Sequence, residues 1–142
     1  MRLHQFNNNI PDICTKCEQY SKGTLFHCMW ECKEIATFWC EISQIIHKML
    51  DVKIPLDPKL FILGLYPSTP VITKNKMNLI NMCLLQAKRS IALSWKNTQR
   101  PHVGQWLREM SNCCSMEKIT YILKRKNETY CMIGFGARLL NC

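Results

Sequence analysis

The sequence predicts an all-α protein with a small cysteine-containing module at its N-terminus. Cysteine and histidine recur at close spacing near the N-terminus, and apolar residues recur at three- and four-residue steps through most of the remaining chain. The length of 142 residues accommodates one domain and a small appendage, and 47% apolar residues suffice for a core. The predicted order is a polar tail over 1–12, a module over 13–32, a helical domain over 33–126 and a tail over 127–142.

The module over residues 13–32 has the spacing of a zinc site. Two residues separate Cys14 from Cys17, nine separate Cys17 from His27, and four separate His27 from Cys32. Two such pairs can close the tetrahedron that zinc prefers in structural sites. Gly23 in the intervening loop permits a tight reversal of the chain. We therefore predict a zinc knuckle with Cys14, Cys17, His27 and Cys32 as ligands and Zn²⁺ as the cofactor.

Two alternatives to this site stay open on the sequence. Cys28 adjoins His27 and competes for the fourth ligand position, for which we favour Cys32. A disulfide framework is another use of ten cysteines in a short chain. Residues 1–9 contain no apolar segment long enough for a secretory signal, so we expect an intracellular location, in cytoplasm or nucleus, and no secretion. The remaining cysteines are expected to be core residues or incidental thiols: Cys40, Cys83, Cys113, Cys114, Cys131 and Cys142.

The first helix of the predicted helical domain covers about residues 33–50. Its apolar residues recur at helical spacing and share one face: Ile35, Phe38, Trp39, Ile42, Ile45, Ile46, Met49 and Leu50. Four of the six prolines lie between residues 51 and 75 and exclude a continuous helix there. Asp57 is a plausible N-cap, with Pro58 at the first position of a short helical turn that Gly64 ends.

Three more helices are predicted beyond residue 75. The longest covers about 76–96 and is expected to be central, with apolar residues on more than one face: Met77, Ile80, Leu84, Leu85, Ala87, Ile91, Ala92 and Trp95. Shorter helices are predicted over 103–112 and 116–126, with Ser115 as the N-cap of the second. Trp39, Trp95 and Trp106 are expected in the core. Beyond Asn127 the pattern fits either a short strand or an irregular tail.

The charge of the chain indicates a polyanionic partner. Its 19 lysines and arginines exceed its 10 acidic residues and give a net charge of +9, more than solubility requires. We predict phosphate contacts from two groups of basic residues, one in the zinc module and one near the C-terminus: Lys16, Lys22 and Lys33, and Lys124, Arg125 and Lys126. No membrane partner is expected, because the longest apolar run, residues 60–66, falls well short of the roughly 20 residues of a membrane helix.

The sequence lacks the arrangements typical of enzymes. Polymerases and most nucleases place metal ions on clustered carboxylates, whereas Asp12, Asp51 and Asp57 are the only aspartates and none is adjacent to another. Neither a glycine-rich phosphate loop nor a Gly-x-Ser-x-Gly elbow occurs. Four protein ligands would also leave a zinc ion without an open coordination position. We therefore expect no catalytic activity in this chain.

Short motifs along the chain occur in the order typical of one family. They are Gly23 to His27 with Trp30 and Cys32, Phe38-Trp39, Ile54-Pro55 with Asp57-Pro58, Leu63 to Pro67, Trp95-Lys96, Pro101, Trp106 and Met116-Glu117-Lys118. In this order they resemble the cysteine-rich C-terminal segment of reverse transcriptases from LINE-type (non-LTR) retrotransposons, over nearly the whole chain from about residue 12.

The resemblance has implications for the zinc site and for function. In that family the positions matching the four predicted ligands are held to bind zinc, and the segment follows the polymerase and thumb. The resemblance implies a role in gripping element RNA or target DNA during target-primed reverse transcription, with the upstream reverse transcriptase polypeptide as a further partner. Thr15 and Lys33 stand where family members often have proline, so ion affinity and entry into the first helix can differ.

Two functions are therefore weighed for this chain. The first is a zinc-stabilised nucleic-acid-binding module, a non-catalytic C-terminal part or relic of a LINE-type reverse transcriptase, in which Phe26 stacks on unpaired bases. Trp30 is instead expected to pack on the first helix. The alternative is a protein-interaction module in which the zinc is purely structural and the basic surface is incidental. In both cases we expect the helices to remain folded without the metal ion.

Overall fold

A computed structural model describes residues 13–17 and 23–123 of the chain. A π-helical turn, His27–Glu31, leads into four α-helices: α1 (Lys33–Leu50), α2 (Pro58–Phe61), α3 (Lys74–Leu93) and α4 (Val103–Leu123). None of the elements in these two ranges is a β-strand. The prediction of an all-α fold with about four helices after the N-terminal module is confirmed.

Helix α1 has the predicted bounds, Lys33–Leu50. Its buried residues repeat at three- and four-residue steps along one face, so it packs by that face while its opposite side meets solvent. The helix ends at Asp51, which adopts a left-handed conformation with a φ of 51° and donates its N–H to the carbonyl of His47. The buried residues are Ile35, Phe38, Trp39, Ile42, Ile46, Met49 and Leu50.

Helix α2 is the short turn predicted after Asp57. The Asp57 side chain accepts a 2.9 Å hydrogen bond from the N–H of Lys59, and Pro58 occupies the first turn. Gly64, with a φ of 72°, lies just beyond the helix in a conformation that favours glycine. Phe61 is fully buried and meets the Trp39 ring edge-on at a centroid distance of 5.2 Å. This turn therefore closes one side of the α1 core.

Helix α3, predicted to be the central element, shares that position with α1, because each of the two contacts the other, α4 and the π-helical turn. Helix α3 covers Lys74–Leu93, whereas the predicted range was 76–96. The helix therefore begins two residues earlier and ends three residues earlier than predicted. The expectation that Trp95 is a core residue was wrong, since 38% of its surface is exposed. Ser94 leaves the helical conformation, and Trp95 therefore does not continue the buried face of α3. Leu85 and Ala92 are likewise exposed.

Helix α4 is one continuous helix, Val103–Leu123, where two helices divided at Ser115 were predicted. The Ser115 hydroxyl donates a 3.0 Å hydrogen bond to the carbonyl of Ser111, one turn earlier, so it is satisfied inside the helix. No proline or glycine occurs between residues 105 and 123 to interrupt the helix. Trp106 is fully buried, as predicted, and its Nε1 donates a 3.1 Å hydrogen bond to the carbonyl of Cys83.

One buried cluster joins the N-terminal module to the helices. It contains side chains of α1, α2, α3 and α4 together with Cys14 and Cys32 from the module. Two ion pairs tie the outside of the bundle: Arg100 to Glu41 at 3.1 Å, and Arg89 to Glu109 at 3.5 Å. Within the described ranges, no helix has the length and apolar character to cross a membrane.

Candidate metal centre

The first pair of candidate ligands lies in a tight bend over residues 14–17. Burial alone would raise the pKa of the Cys14 thiol, but the backbone N–H groups of Cys17 and Lys16 and the neighbouring thiols outweigh it and lower the pKa to about 7. N–H groups that converge on a sulfur stabilise its thiolate form. The bend thus prepares Cys14 as a metal ligand, because the thiolate is the form that binds metal.

The second pair is positioned by the π-helical turn. Thr24 begins this segment, and its Oγ1 accepts a 3.1 Å hydrogen bond from the backbone N–H of His27. At the other end, the N–H of Cys32 donates to the carbonyl of His27 at 2.9 Å, and Cys32 is the N-terminal flanking residue of α1. Gly23 lies against the first bend, since a Cβ there would come within 3.4 Å of the Ile13 carbonyl. The turn therefore returns His27 and Cys32 to Cys14 and Cys17.

The four sequence-predicted ligands lie together in the structure. The Sγ atoms of Cys14, Cys17 and Cys32 and a ring nitrogen of His27 all lie within 4.8 Å of one another. Cys14 Sγ is 3.7 Å from Cys32 Sγ, and Cys17 Sγ is 3.3 Å from His27 Nε2. With Zn–S bonds of about 2.3 Å and Zn–N bonds of about 2.0 Å, tetrahedral zinc requires S···S and S···N separations of about 3.8 and 3.5 Å. The donor set and its dimensions therefore fit a tetrahedral ion such as zinc.

The orientation of the His27 ring decides which nitrogen faces the cluster. Nε2 points to Cys17, while Nδ1 lies 3.8 Å from a carboxylate oxygen of Glu31 on the same π-helical turn. A ligand histidine commonly directs its other ring nitrogen to a carboxylate, which fixes the ring and raises its basicity. Sequence reasoning did not single out Glu31 as a neighbour of the His27 ring. The i,i+4 spacing of His27 and Glu31 was the available signal.

The cysteines of the cluster differ in the pKa of their thiols. Burial, together with the nearby Cys14 sulfur, raises the pKa of Cys32 to about 12, although the N–H groups of Ile35 and Glu34 at the start of α1 act in the opposite direction. Cys32 is fully buried, whereas Cys17 is half-buried. A metal cation offsets this cost by placing a positive charge beside the buried sulfur. The pKa of Cys14 is thus already low enough for a thiolate ligand, whereas Cys32 would lose its proton only beside a bound cation.

Cys28 lies beside the cluster but outside the set of four. Its thiol contacts that of Cys14, and burial first, then Cys14, raises its pKa. The group of side chains close enough to hold one ion contains Cys32 and not Cys28, in line with the preference drawn from the sequence. Cys14, Cys17, Cys28 and Cys32 are all free thiols in the structure, so they are available to a metal and do not form the disulfides of the alternative reading.

Lys16, predicted to contact phosphate, is directed at the end of α3. Its Nζ donates to the backbone carbonyls of Ser94, Trp95 (3.3 Å) and Asn97 (2.8 Å), and Thr15 Oγ1 donates to the same Asn97 carbonyl at 3.3 Å. The pKa of Lys16 is lowered overall, because the effect of burial exceeds the opposite effect of the neighbouring cysteine sulfurs. These carbonyls lie at and just beyond the C-terminus of α3, where the partial negative charge of the helix suits a cation. The phosphate-contact assignment therefore does not fit, because these donors are used within the protein.

The other predicted nucleic-acid contacts fall into two groups. Phe26, immediately before the π-helical turn, is 49% exposed, and Lys33 is exposed in the first turn of α1. Both side chains are accessible on the surface of the module. The remaining four predicted contacts lie outside the described residues: Lys22, Lys124, Arg125 and Lys126.

Trp30 packs against the helices, as expected. Its ring lies 6.2 Å from that of Trp39 on α1 and 5.7 Å from that of Phe61 on α2, measured between centroids. Trp39 Nε1 also donates a 2.8 Å hydrogen bond to the carbonyl of Met29 in the π-helical turn. The segment that carries His27 and Cys32 is therefore bound to the core through aromatic contacts and a hydrogen bond.

Comparison with known proteins finds no matching family model and no matching solved structure. The case for function therefore rests on the geometry of the cluster, on the charge of the chain and on the motifs in its sequence.

Proposed function

We propose that this chain is a zinc-stabilised nucleic-acid-binding module, and that it is the non-catalytic C-terminal part, or a relic, of a LINE-type reverse transcriptase. In this role it grips element RNA or target DNA, with the upstream reverse transcriptase polypeptide as a further partner. The module acts inside the cell, in cytoplasm or nucleus. The observation that carries the proposal is the convergence of Cys14, Cys17, His27 and Cys32 on one point.

The ligand set supports a structural zinc site and no catalytic one. Three sulfurs and one imidazole are ligands that zinc favours in closed, four-coordinate sites. Catalytic zinc keeps one position open for water or substrate, and four protein ligands leave none. Cys14 and Cys32 also belong to the buried cluster of the fold. In this proposal the ion holds the N-terminal module against the core and supplies no reaction centre.

The distribution of charge supports an anionic partner. Within the described residues, arginine–glutamate pairing is limited to Arg89 with Glu109 and Arg100 with Glu41. Each pair uses one basic and one acidic residue, so pairing does not reduce the net charge of +9 that the chain carries. Phosphate groups of RNA or DNA neutralise such a surface with release of counterions, which makes the binding depend on salt.

One observation favours the alternative function, a protein-interaction module. Several large apolar side chains are exposed around and after α2, with 67% of Leu63, 59% of Leu65 and 92% of Val71 accessible. Contiguous exposed apolar surface marks interaction sites in many proteins. None of these residues is a candidate metal ligand or a predicted nucleic-acid contact, so contact with a protein through them is also compatible with nucleic-acid binding by the module. We therefore keep this function second.

The test is direct binding by zinc-loaded protein. Fluorescence anisotropy at low salt measures the affinity for labelled 20-nucleotide single-stranded RNA, single-stranded DNA and duplex DNA. The proposal predicts binding to at least one of them, and weaker binding by metal-free Cys17→Ser protein, because its module loses the metal that shapes it. Absence of binding to all three by the zinc-loaded protein would favour the interaction module.

A further inference from the structure

Trp95 is an exposed aromatic residue at the point where the metal module meets α3. It lies two residues beyond the end of that helix and is 38% exposed. The two tryptophans of α1 and α4, Trp39 and Trp106, are fully buried. A tryptophan on the surface leaves a large apolar ring in water at a free-energy cost, so its placement there calls for an explanation.

The position of Trp95 is fixed by the metal module. The Trp95 carbonyl accepts a hydrogen bond from Lys16 Nζ at 3.3 Å, and Lys16 lies between the ligands Cys14 and Cys17. Lys16 also binds the carbonyls of Ser94 and Asn97 on either side. Three contacts to one ammonium hold the backbone around the exposed ring, so the bend that carries Cys14 and Cys17 also presents Trp95.

The surroundings of the ring are cationic. Lys96 Nζ lies 5.2 Å from the centroid of the Trp95 ring, within the range of a cation–π contact. Lys96 is exposed, and it forms no salt bridge with a described acidic side chain. The ammonium lies over the face of the ring, so a base that stacks there has to displace it, and the exposed, flexible Lys96 side chain can then reach the phosphate of the same nucleotide.

We infer that Trp95 is a base-stacking residue and Lys96 its phosphate contact, and that together they bind one nucleotide of a single strand beside the metal module. This inference rests on the proposed function and adds a site that the sequence, with Trp95 placed in the core, did not predict. Stacking is the contact that single-strand binders use without regard to base identity. A duplex hides the faces of its bases, so this site selects unpaired strands.

The experiment uses the full chain loaded with zinc and two probes without internal pairing, 20-nucleotide oligo(U) and oligo(dT). Trp95→Ala should weaken binding to both probes by about 5- to 140-fold, the loss expected for one stacked base, with the salt slope unchanged. Trp95→Phe, which keeps a ring, should lose less. Lys96→Gln should flatten the salt slope by about 0.7, the contribution of one phosphate. Leu85→Ala, which shortens an exposed apolar side chain on α3, is the control and should bind as the parent protein does.

The outcomes separate this inference from the proposed function. Parent protein that binds both probes while Trp95→Ala binds equally well would overturn the stacking role and leave the function standing. Parent protein that binds neither probe would overturn the stacking role, and the proposed function would fall with it only if duplex DNA were not bound either. Zinc content and circular dichroism of Trp95→Ala should match the parent. If Trp95→Ala lost either, Trp95→Leu, which keeps an apolar side chain without a ring, would replace it. Affinity of Trp95→Leu below that of Trp95→Phe supports the stacking role, and equal affinities for parent, Trp95→Phe and Trp95→Leu would overturn it.

Discussion

The indole N–H of Trp39 and the carbonyl of Met29 are joined by a hydrogen bond of 2.8 Å. Trp39 is fully buried on α1, and Met29 lies between the metal ligands His27 and Cys32. The bond therefore links the metal-binding turn to the centre of the core. A metal ion bound by His27 and Cys32 would therefore stabilise the helices as well as the module.

Chelation of the metal should lower the melting temperature of the helices without abolishing them. The core of α1, α3 and α4 is apolar and should hold the helices, in keeping with the expectation from sequence. At a metal concentration 100 times Kd, the bound ion stabilises the folded state by about 2.7 kcal/mol, and chelation removes this stabilisation. Far-UV circular dichroism with and without chelator measures the helical signal and the melting temperature. Full loss of helical signal, or an unchanged melting temperature, would contradict the shared core.

The choice among cysteines can be tested by metal content. Cys14→Ser, Cys17→Ser and Cys32→Ser should each lose tight zinc binding, because three ligands close the site less well than four. Cys28→Ser should keep one zinc per chain, since Cys28 lies outside the group of four. Cys40→Ser, which changes an exposed thiol on α1, is the control. Mass spectrometry under native conditions measures the stoichiometry, and zinc retained by Cys32→Ser but lost by Cys28→Ser would reverse the assignment.

Glu31 should tune the affinity of the site without being a ligand. Glu31→Gln removes the negative charge 3.8 Å from His27 Nδ1 and should weaken zinc binding by about tenfold. This is the lower end of the effect of carboxylate partners of ligand histidines, because the Glu31 side chain is 55% exposed. Competition with a chromophoric chelator measures the affinity. Glu117→Gln on α4 is the matched control. Equal affinities for the two variants would show that the carboxylate plays no part.

Lys16 should contribute to folding more than to binding. Lys16→Ala removes its contacts to the C-terminal carbonyls of α3 and should destabilise the protein by about 1 to 3 kcal/mol, as hydrogen bonds from charged groups do. Lys33→Ala removes an exposed lysine at the start of α1 and should change stability by less than about 0.5 kcal/mol. Urea denaturation measures the free energy of unfolding of the two variants and of the parent protein. If Lys16→Ala proves as stable as Lys33→Ala, the ammonium does not tie the module to α3.

The parts of the fold that depend on local pattern were predictable from the sequence. Helix α1 was placed at its observed bounds because its apolar residues keep one strong helical period. The Asp57-Pro58 pair also indicates the start of α2 from local features, because aspartate provides a side-chain cap and proline a fixed φ. The metal ligands were found from spacing, since a four-ligand site constrains the chain at short range.

The parts that depend on distant contacts were not predictable. Lys16 meets Asn97 across 81 positions, and nothing local to either residue signals that contact. Trp95 was assigned to the core because it continues the helical period of α3, but the helix ends before it. Ser115 was taken as a cap because serine favours that position, whereas its hydroxyl is satisfied within a continuous helix.

The salt dependence of binding tests the central claim, that the basic surface of this zinc module binds nucleic acid. The affinity of zinc-loaded protein for single-stranded RNA is measured from low to physiological salt, beside two triple variants of equal net charge. Lys124→Gln, Arg125→Gln and Lys126→Gln remove the predicted contacts, whereas Lys48→Gln, Lys53→Gln and Lys59→Gln remove three exposed lysines elsewhere.

The account predicts a steep negative slope of log K against log salt for the parent protein. The 124–126 variant should flatten it by about 2, from three phosphates at about 0.7 each, and weaken binding to all sequences alike. The control variant should keep the slope of the parent. Parent protein that does not bind at low salt, or that binds with a slope near zero, would contradict the claim.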